Sequence, residues 1–145
     1  MVSCWRRGGT WREAPRAGES MDAGTILVVE DEEDIATIVR VALEMEGLAV
    51  HVTGSFRQAV HALKSSRPKA VVMDVLLPDG SGLTLLRRLR NDPDLADVPV
   101  VMLSAISPQD ELWHGTWEWD AYIQKPFDPT DVVTTIQKLV KTASN

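Results

Sequence analysis

Cysteine, histidine and tyrosine are scarce in this chain: 145 residues hold one Cys, three His and one Tyr. The lone thiol, Cys4, cannot close an internal disulfide and has no second Cys or His at metal-ligand spacing. A disulfide scaffold and a structural zinc site are therefore not expected, and a reducing compartment suits the composition. No apolar run approaches the roughly 18 residues that a membrane span needs. Arg6, Arg7 and Arg12 are not followed by an apolar stretch, so no secretory leader is expected and the cytoplasm is the expected location. Neither G-x-G-x-x-G nor G-x-x-x-x-G-K-[ST] occurs, which removes two common phosphate-cradling loops. Basic charge is also short. The net charge is -6, and because the first 20 residues hold four Arg against two Glu, the other 125 carry -8. An acidic domain repels phosphate backbones, so direct nucleic-acid contact is not expected.

What is present is apolar material, 44% of the chain, enough for the core of one domain. Residues 1–23, with Trp5 and Trp11 among arginines, read as a disordered extension, and Met21 as an alternative start. The domain is expected over 24–142, with 143–145 as a tail. From Thr25 onward, short apolar runs alternate with helical patterns, a βα rhythm repeated five times. The predicted strands are Thr25 to Glu30, Ala49 to Thr53, Ala70 to Asp74, Val98 to Ser104 and Ala121 to Gln124. Ile35, Ile38, Val39, Ala42 and Leu43 mark a first helix stopped by Gly47. Phe56, Ala59, Val60 and Leu63 mark a second, and Leu83, Leu86 and Leu89 a third that follows a Pro78-Asp79-Gly80 turn. A fourth is weakly signalled by Pro108, Leu112, Trp113, Thr116 and Trp117, with Gly115 interrupting it. The last starts with Asp128 as cap and Pro129 at its first position, then runs through Val132, Val133, Ile136, Leu139 and Val140. Five residues follow Val140, so no output domain is expected after it.

In open parallel α/β sheets, ligands bind outside the carboxyl ends of the strands. Four of the five predicted strands end in polar residues there: Glu30 and Asp31, then Asp74, then Ser104, then Gln124 leading to Lys125. Three carboxylates with one ammonium leave a local charge of -2, a crowding that a hard divalent cation relieves. Magnesium takes oxygen ligands and needs only one or two carboxylates, so it suits this set. With Asp74 as nucleophile, and Lys125 and Ser104 to hold phosphoryl oxygens, the cluster is a coherent phosphoryl-transfer site. The plainer alternative makes Asp74 a turn residue and the acidic run Asp31 to Asp34 a helix first turn; it holds for Glu32, Glu33 and Asp34. His51, His61 and Cys4 read as structural or surface residues, and His114 stays undecided.

The segments ILVVEDEEDI (26–35), VVMDVLLPDGSG (71–82), VVMLSA (100–105) and YIQKPF (122–127) resemble, in this order and spacing, the receiver domain of bacterial response regulators, over Gly24 to Thr142. The resemblance implies a doubly wound five-stranded parallel α/β sheet of flavodoxin-like type, order 2-1-3-4-5. It implies that Asp74 is the phosphoacceptor. Asp31, Asp74 and the Leu76 carbonyl would ligate Mg2+, with Glu30 acting through water. Ser104 would be the switch hydroxyl, Tyr122 the switch aromatic and Lys125 the phosphate-binding lysine, needed for signalling more than for folding. The Lys125-Pro126 bond is often cis in such domains.

The same resemblance implies a sensor histidine kinase or histidine phosphotransfer protein as donor and a downstream protein as partner. Readout would use the face of the fourth helix, fifth strand and last helix, with phosphorylation-dependent dimerisation left open. Such a domain is not a conventional enzyme, since it catalyses only its own phosphorylation and dephosphorylation. The alternative is a phosphorylation-independent adaptor with the same fold. One stretch departs from the family pattern: Trp117-Glu118-Trp119-Asp120 stands where a Gly-Ala type turn is usual, and the segment is about one residue short. Trp113, Trp117 and Trp119 are accordingly candidate partner-binding residues, with core packing as the alternative.

Overall fold

A computed structural model describes residues 4–7, 10–13, 21–107 and 118–143, with side chains placed over 21–107 and 118–141. Its centre is a five-stranded parallel sheet of β3 (Ile26–Val29), β4 (Val50–Thr53), β5 (Ala70–Asp74), β8 (Val100–Ser104) and β9 (Ala121–Gln124), in the order β4-β3-β5-β8-β9. Counted among these five, that is the expected 2-1-3-4-5, and the fold is the flavodoxin-like one. The register runs Ile26 opposite Val50 and Ala70, Val71 opposite Val100, and Val101 opposite Ala121.

Helices cover both faces, and the strands alternate between them as the two-residue period requires. Leu27, Val29, Val71, Met73, Val100 and Met102 share a core with Ala59, Ala62 and Leu63 of α2 (Phe56–Ser65) and with Leu85, Leu86 and Leu89 of α3 (Gly82–Asn91). Ile26, Val28, Val72, Val101 and Leu103 face the other way. They pack with Val39 and Leu43 of α1 (Glu33–Glu44) and with Val132, Val133 and Ile136 of α4 (Pro129–Ala143). Being buried on both faces explains why β3, β5 and β8 read as unbroken apolar runs.

The expected helix signals operate. Gly47 has φ +82° and its N–H donates to Glu44 O, ending the turn after α1. Asp128 Oδ1 accepts from the Thr130 N–H at 2.9 Å, capping α4. Differences lie mainly at the edges. The first, second and fourth sheet strands are shorter than their apolar runs. A small antiparallel pair, β6 (Leu76–Leu77) with β7 (Gly80–Ser81), frames the Pro-Asp-Gly turn.

The extension expected to lack structure contains an antiparallel pair, β1 (Cys4–Arg7) with β2 (Thr10–Glu13). Met21, placed outside the domain by the sequence reading, is 4% exposed. Its N–H donates to Ser65 Oγ at 2.7 Å, and the Ser66 hydroxyl donates back to its carbonyl at 2.5 Å. Packing therefore begins at least three residues before Gly24. The weakly signalled fourth helix, with Trp113, His114 and Trp117, lies outside the described residues.

Candidate functional site

Parallel register alone brings the polar strand ends together. Val29 of β3 lies opposite Met73 of β5, so the next residues, Glu30 and Asp74, emerge side by side. Both are buried, as is Ser104 at the end of β8, while Asp31 is exposed. Lys125, just past β9, is anchored by its own N–H donating to Ser104 O at 2.8 Å. Its ammonium sits between the carboxylates, 2.8 Å from Glu30 Oε2 and 2.8 Å from Asp74 Oδ2, with Glu32 Oε1 farther off at 3.8 Å.

Each strand-end side chain is also fixed by the backbone two residues on. Glu30 Oε1 accepts from the Glu32 N–H at 3.1 Å, Asp74 Oδ1 from the Leu76 N–H at 3.1 Å and Ser104 Oγ from the Ile106 N–H at 3.2 Å. The repeated device replaces ladder hydrogen bonds where the strands stop, and it aims each oxygen outward from the sheet end.

The electrostatics follow from this burial. Loss of water pushes the Glu30 carboxyl above its usual range. The Lys125 and Glu32 hydrogen bonds pull it back only in part, and the charge of Asp74 adds to the rise. For Lys125, burial works to depress the ammonium, but the hydrogen bonds to Asp74 and Glu30 outweigh it and hold the group above its ordinary value. The lysine thus has strong resting-state partners. Removing it would leave two buried carboxylates facing each other.

Oxygens of Glu30, Asp31 and Asp74 all lie within 4.8 Å of one another. An all-oxygen, carboxylate-rich set open to solvent at Asp31 suits a hard divalent cation such as magnesium.

Around this centre, Tyr122 donates its hydroxyl to Ile106 O, the carbonyl two residues past Ser104. The Trp119 ring packs on Tyr122 at a centroid distance of 5.3 Å, half-buried against the core that α2 and α3 cover. For Trp119, core packing therefore accounts for at least part of its surface. The Lys125-Pro126 peptide is cis.

Three positions escaped the sequence reading. A Cβ on Gly82 would lie 2.1 Å from Asp74 O, so only glycine lets α3 approach the backbone of the acidic residue this closely. Asp79 reaches the start of α2: Oδ1 accepts from the Phe56 N–H at 2.7 Å and Oδ2 from the Arg57 N–H at 3.0 Å. The Arg57 amide, aided by that of Phe56, holds the Asp79 carboxyl below its ordinary value. Arg90 fastens the stretch before β9 to the end of α3, donating to Glu118 O at 2.9 Å, Asp120 Oδ2 at 2.9 Å and Val98 O at 2.7 Å. The glycine sits in a visible Gly-Ser-Gly run, but a close approach leaves no mark in one sequence. Asp79 and Arg90 look like ordinary turn and helix-surface residues.

Residues 26–137 match the response regulator receiver domain family. The phosphate regulon transcriptional regulatory protein PhoB of Pseudomonas aeruginosa is 35% identical over 118 residues, 81% of this chain and 52% of that protein. The chain thus spans about half the length of the curated relatives it matches. Among solved structures, the signal receiver domain of a signal transduction histidine kinase from Syntrophus aciditrophicus aligns with TM-score 0.73 and 31% identity, over 82% of this chain and 91% of that one. The receiver domain of the sensor histidine kinase PA1611 from Pseudomonas aeruginosa, with a magnesium ion coordinated in its active site cleft, aligns with TM-score 0.72 and 27% identity, over 83% and 99%. With the five strands in receiver order and the acidic residues and lysine gathered at their carboxyl ends, the chain belongs to the response regulator receiver domain family of two-component systems.

Proposed function

We propose that Asp74 accepts a phosphoryl group from a phosphohistidine on a sensor histidine kinase or histidine phosphotransfer protein. The observation that carries this reading is the Lys125 ammonium, 2.8 Å from both Asp74 and Glu30 at the carboxyl ends of β5 and β3. Such a lysine already neutralises the nucleophile's surroundings and, by leaving Asp74 for a phosphoryl oxygen, keeps a charge partner through the transfer. In the transfer the phosphorus–nitrogen bond breaks, a bond from an Asp74 carboxylate oxygen to phosphorus forms, and the imidazole keeps the electron pair and takes up a proton. Asp31 and Asp74 would hold magnesium with the Leu76 carbonyl, and Glu30 through water. Bound there, the cation supplies positive charge against phosphoryl oxygens that would otherwise repel the carboxylate.

Ser104 and Tyr122 supply the response. The Ser104 hydroxyl, engaged with the Ile106 amide, turns to an acceptor oxygen of the phosphoryl group, and Tyr122 gives up its bond to the Ile106 carbonyl and moves inward. The altered face around β9 and α4 then meets a downstream protein, with dimerisation as one outlet. Turnover is confined to the protein's own acyl phosphate. Among the described residues no helix is long and apolar enough to cross a membrane.

Labelling by a small-molecule phosphodonor with magnesium tests the assignment. The natural sequence takes up one phosphoryl group and Asp74→Asn none. Undiminished labelling of Asp74→Asn would overturn it, and no labelling of the natural sequence by any phosphodonor would favour an adaptor.

A further inference from the structure

Asp79 stands at the tip of the hairpin formed by β6 and β7, three residues beyond Leu76, and the phosphoryl-transfer reading gives it no part. Yet both its oxygens leave the turn and bind another element. They take the N–H groups of Phe56 and Arg57, residues 23 and 22 positions away in sequence. These are the first two helical amides of α2, which have no acceptor inside the helix and stand at its positive end. Ser55 Oγ already accepts the next amide, that of Gln58, at 3.1 Å. The local cap and the distant carboxylate thus share the first turn without competing.

Leu77, half-buried, packs the first strand of the hairpin against the core under α2 and α3, and Asp79 adds the polar fastening at the tip. Leu76 itself is 63% exposed, so its own side chain adds little to that packing. At the base, Leu76 N–H donates to Asp74 Oδ1 and Gly82 N–H to Val75 O at 2.7 Å. At the tip, Gly80 lies against the Phe56 ring, where an added Cβ would come within 3.1 Å of it. The stretch from Asp74 to Gly82 is therefore pinned to the sheet at one end and to α2 at the other, and Asp79 supplies the polar bonds of the second pin.

We propose that Asp79 is a positioning residue for the cation site: by tying the hairpin to α2 it fixes the Leu76 carbonyl beside Asp74. The inference rests on the reading of Asp31, Asp74 and Leu76 as cation ligands. Calorimetric titration of the full chain with MgCl2 at 0.15 M salt, where the charge of Asp79 itself is screened over about 8 Å, tests both. Asp79→Ala is expected to bind magnesium about tenfold more weakly than the natural sequence, as loss of a support behind metal ligands typically does. Asp79→Asn keeps one acceptor oxygen and loses less. Ser55→Ala is the control, because it weakens the same helix start without touching the hairpin, and its magnesium affinity is expected to stay unchanged while its melting temperature falls.

Should the natural sequence bind no magnesium, the cation-site reading falls and the inference with it. Unchanged affinity in both Asp79 variants, with the natural sequence binding, overturns the inference alone. So does an equal loss in Ser55→Ala, which would make the effect a general loosening of α2.

Discussion

At the scale of single residues, the two contacts of Lys125 set opposite demands on its neighbours. Its side chain is 11% exposed, and those of Glu30 and Asp74 are 2% and 8% exposed. Lys125→Ala leaves both carboxylates buried without their cation, and the melting transition is expected to drop by about 3 kcal/mol at neutral pH. Because the folded-state pKa of Lys125 is raised, its contribution is fully present below the unfolded value of 10.5 and fades as pH climbs through the raised one. Above neutral pH the difference between Lys125→Ala and the natural sequence should accordingly shrink only in strong alkali; a difference that disappears by pH 8 would contradict the pairing. Glu30 behaves in the opposite sense. Its raised pKa means that ionisation on passing above 4.5 costs the fold stability. Glu30→Gln, which keeps an acceptor for the Glu32 amide, should then melt higher than the natural sequence at pH 7 without magnesium, with the gap closing as pH falls below 4.5. A lower melting temperature at pH 7 would mean that the lysine bond outweighs burial.

At the scale of elements, the approach of α3 to β5 decides where Asp74 stands. Gly82→Ala would drive its Cβ into Asp74 O, forcing the helix start and the strand end apart. A destabilisation of about 2 kcal/mol or more is expected, together with slower phosphodonor labelling, because the strain falls on the backbone of Asp74, the proposed nucleophile. Equal labelling rates at matched folded fraction would show that Asp74 tolerates the shift. Such contacts mark the limit of what the sequence makes legible. The five strands, their order and the gathering of Glu30, Asp31, Asp74, Ser104 and Lys125 follow from apolar runs that stop at polar residues and from a recognisable family pattern. The expected first strand is one residue longer at each end than β3, because Thr25 and Glu30 each keep a backbone bond to the neighbouring segments, Thr25 O from the Lys69 N–H and the Glu30 N–H to Thr53 O, while lying outside the strand. The sequence reading missed the β6–β7 hairpin because two-residue strands have no period to detect. The burial of Lys125 and its pairing with Glu30 and Asp74 were not legible either, because a lone lysine reveals neither in a sequence.

At the scale of the whole molecule, the carboxyl end of the sheet is where the fold gives up stability, since Glu30, Asp31 and Asp74 hold like charges close there and one ammonium, Lys125, offsets only part of them. Magnesium that binds the folded chain and not the unfolded one should return that stability by mass action, about 2.7 kcal/mol at a hundredfold excess over Kd, or roughly 10 °C in melting temperature. Asp31→Ala should abolish most of the shift while leaving the magnesium-free melting temperature nearly unchanged, because Asp31 is exposed. Sodium at equal ionic strength reproducing the shift would point to screening in place of a site.

The order in which the two cores close bears on how the chain matures. β3 lies in the middle of the sheet, yet its α1-side face, Ile26 and Val28, shares its core with Val132, Val133 and Ile136 near the other end of the chain. The opposite face closes sooner, since the last buried residue of its core is Met102 of β8. A polypeptide leaving the ribosome at about 5–20 residues per second therefore presents a half-covered apolar sheet for several seconds before α4 emerges. During that interval the nascent chain exposes the aliphatic face of β3, β5 and β8 that Val132, Val133 and Ile136 later cover.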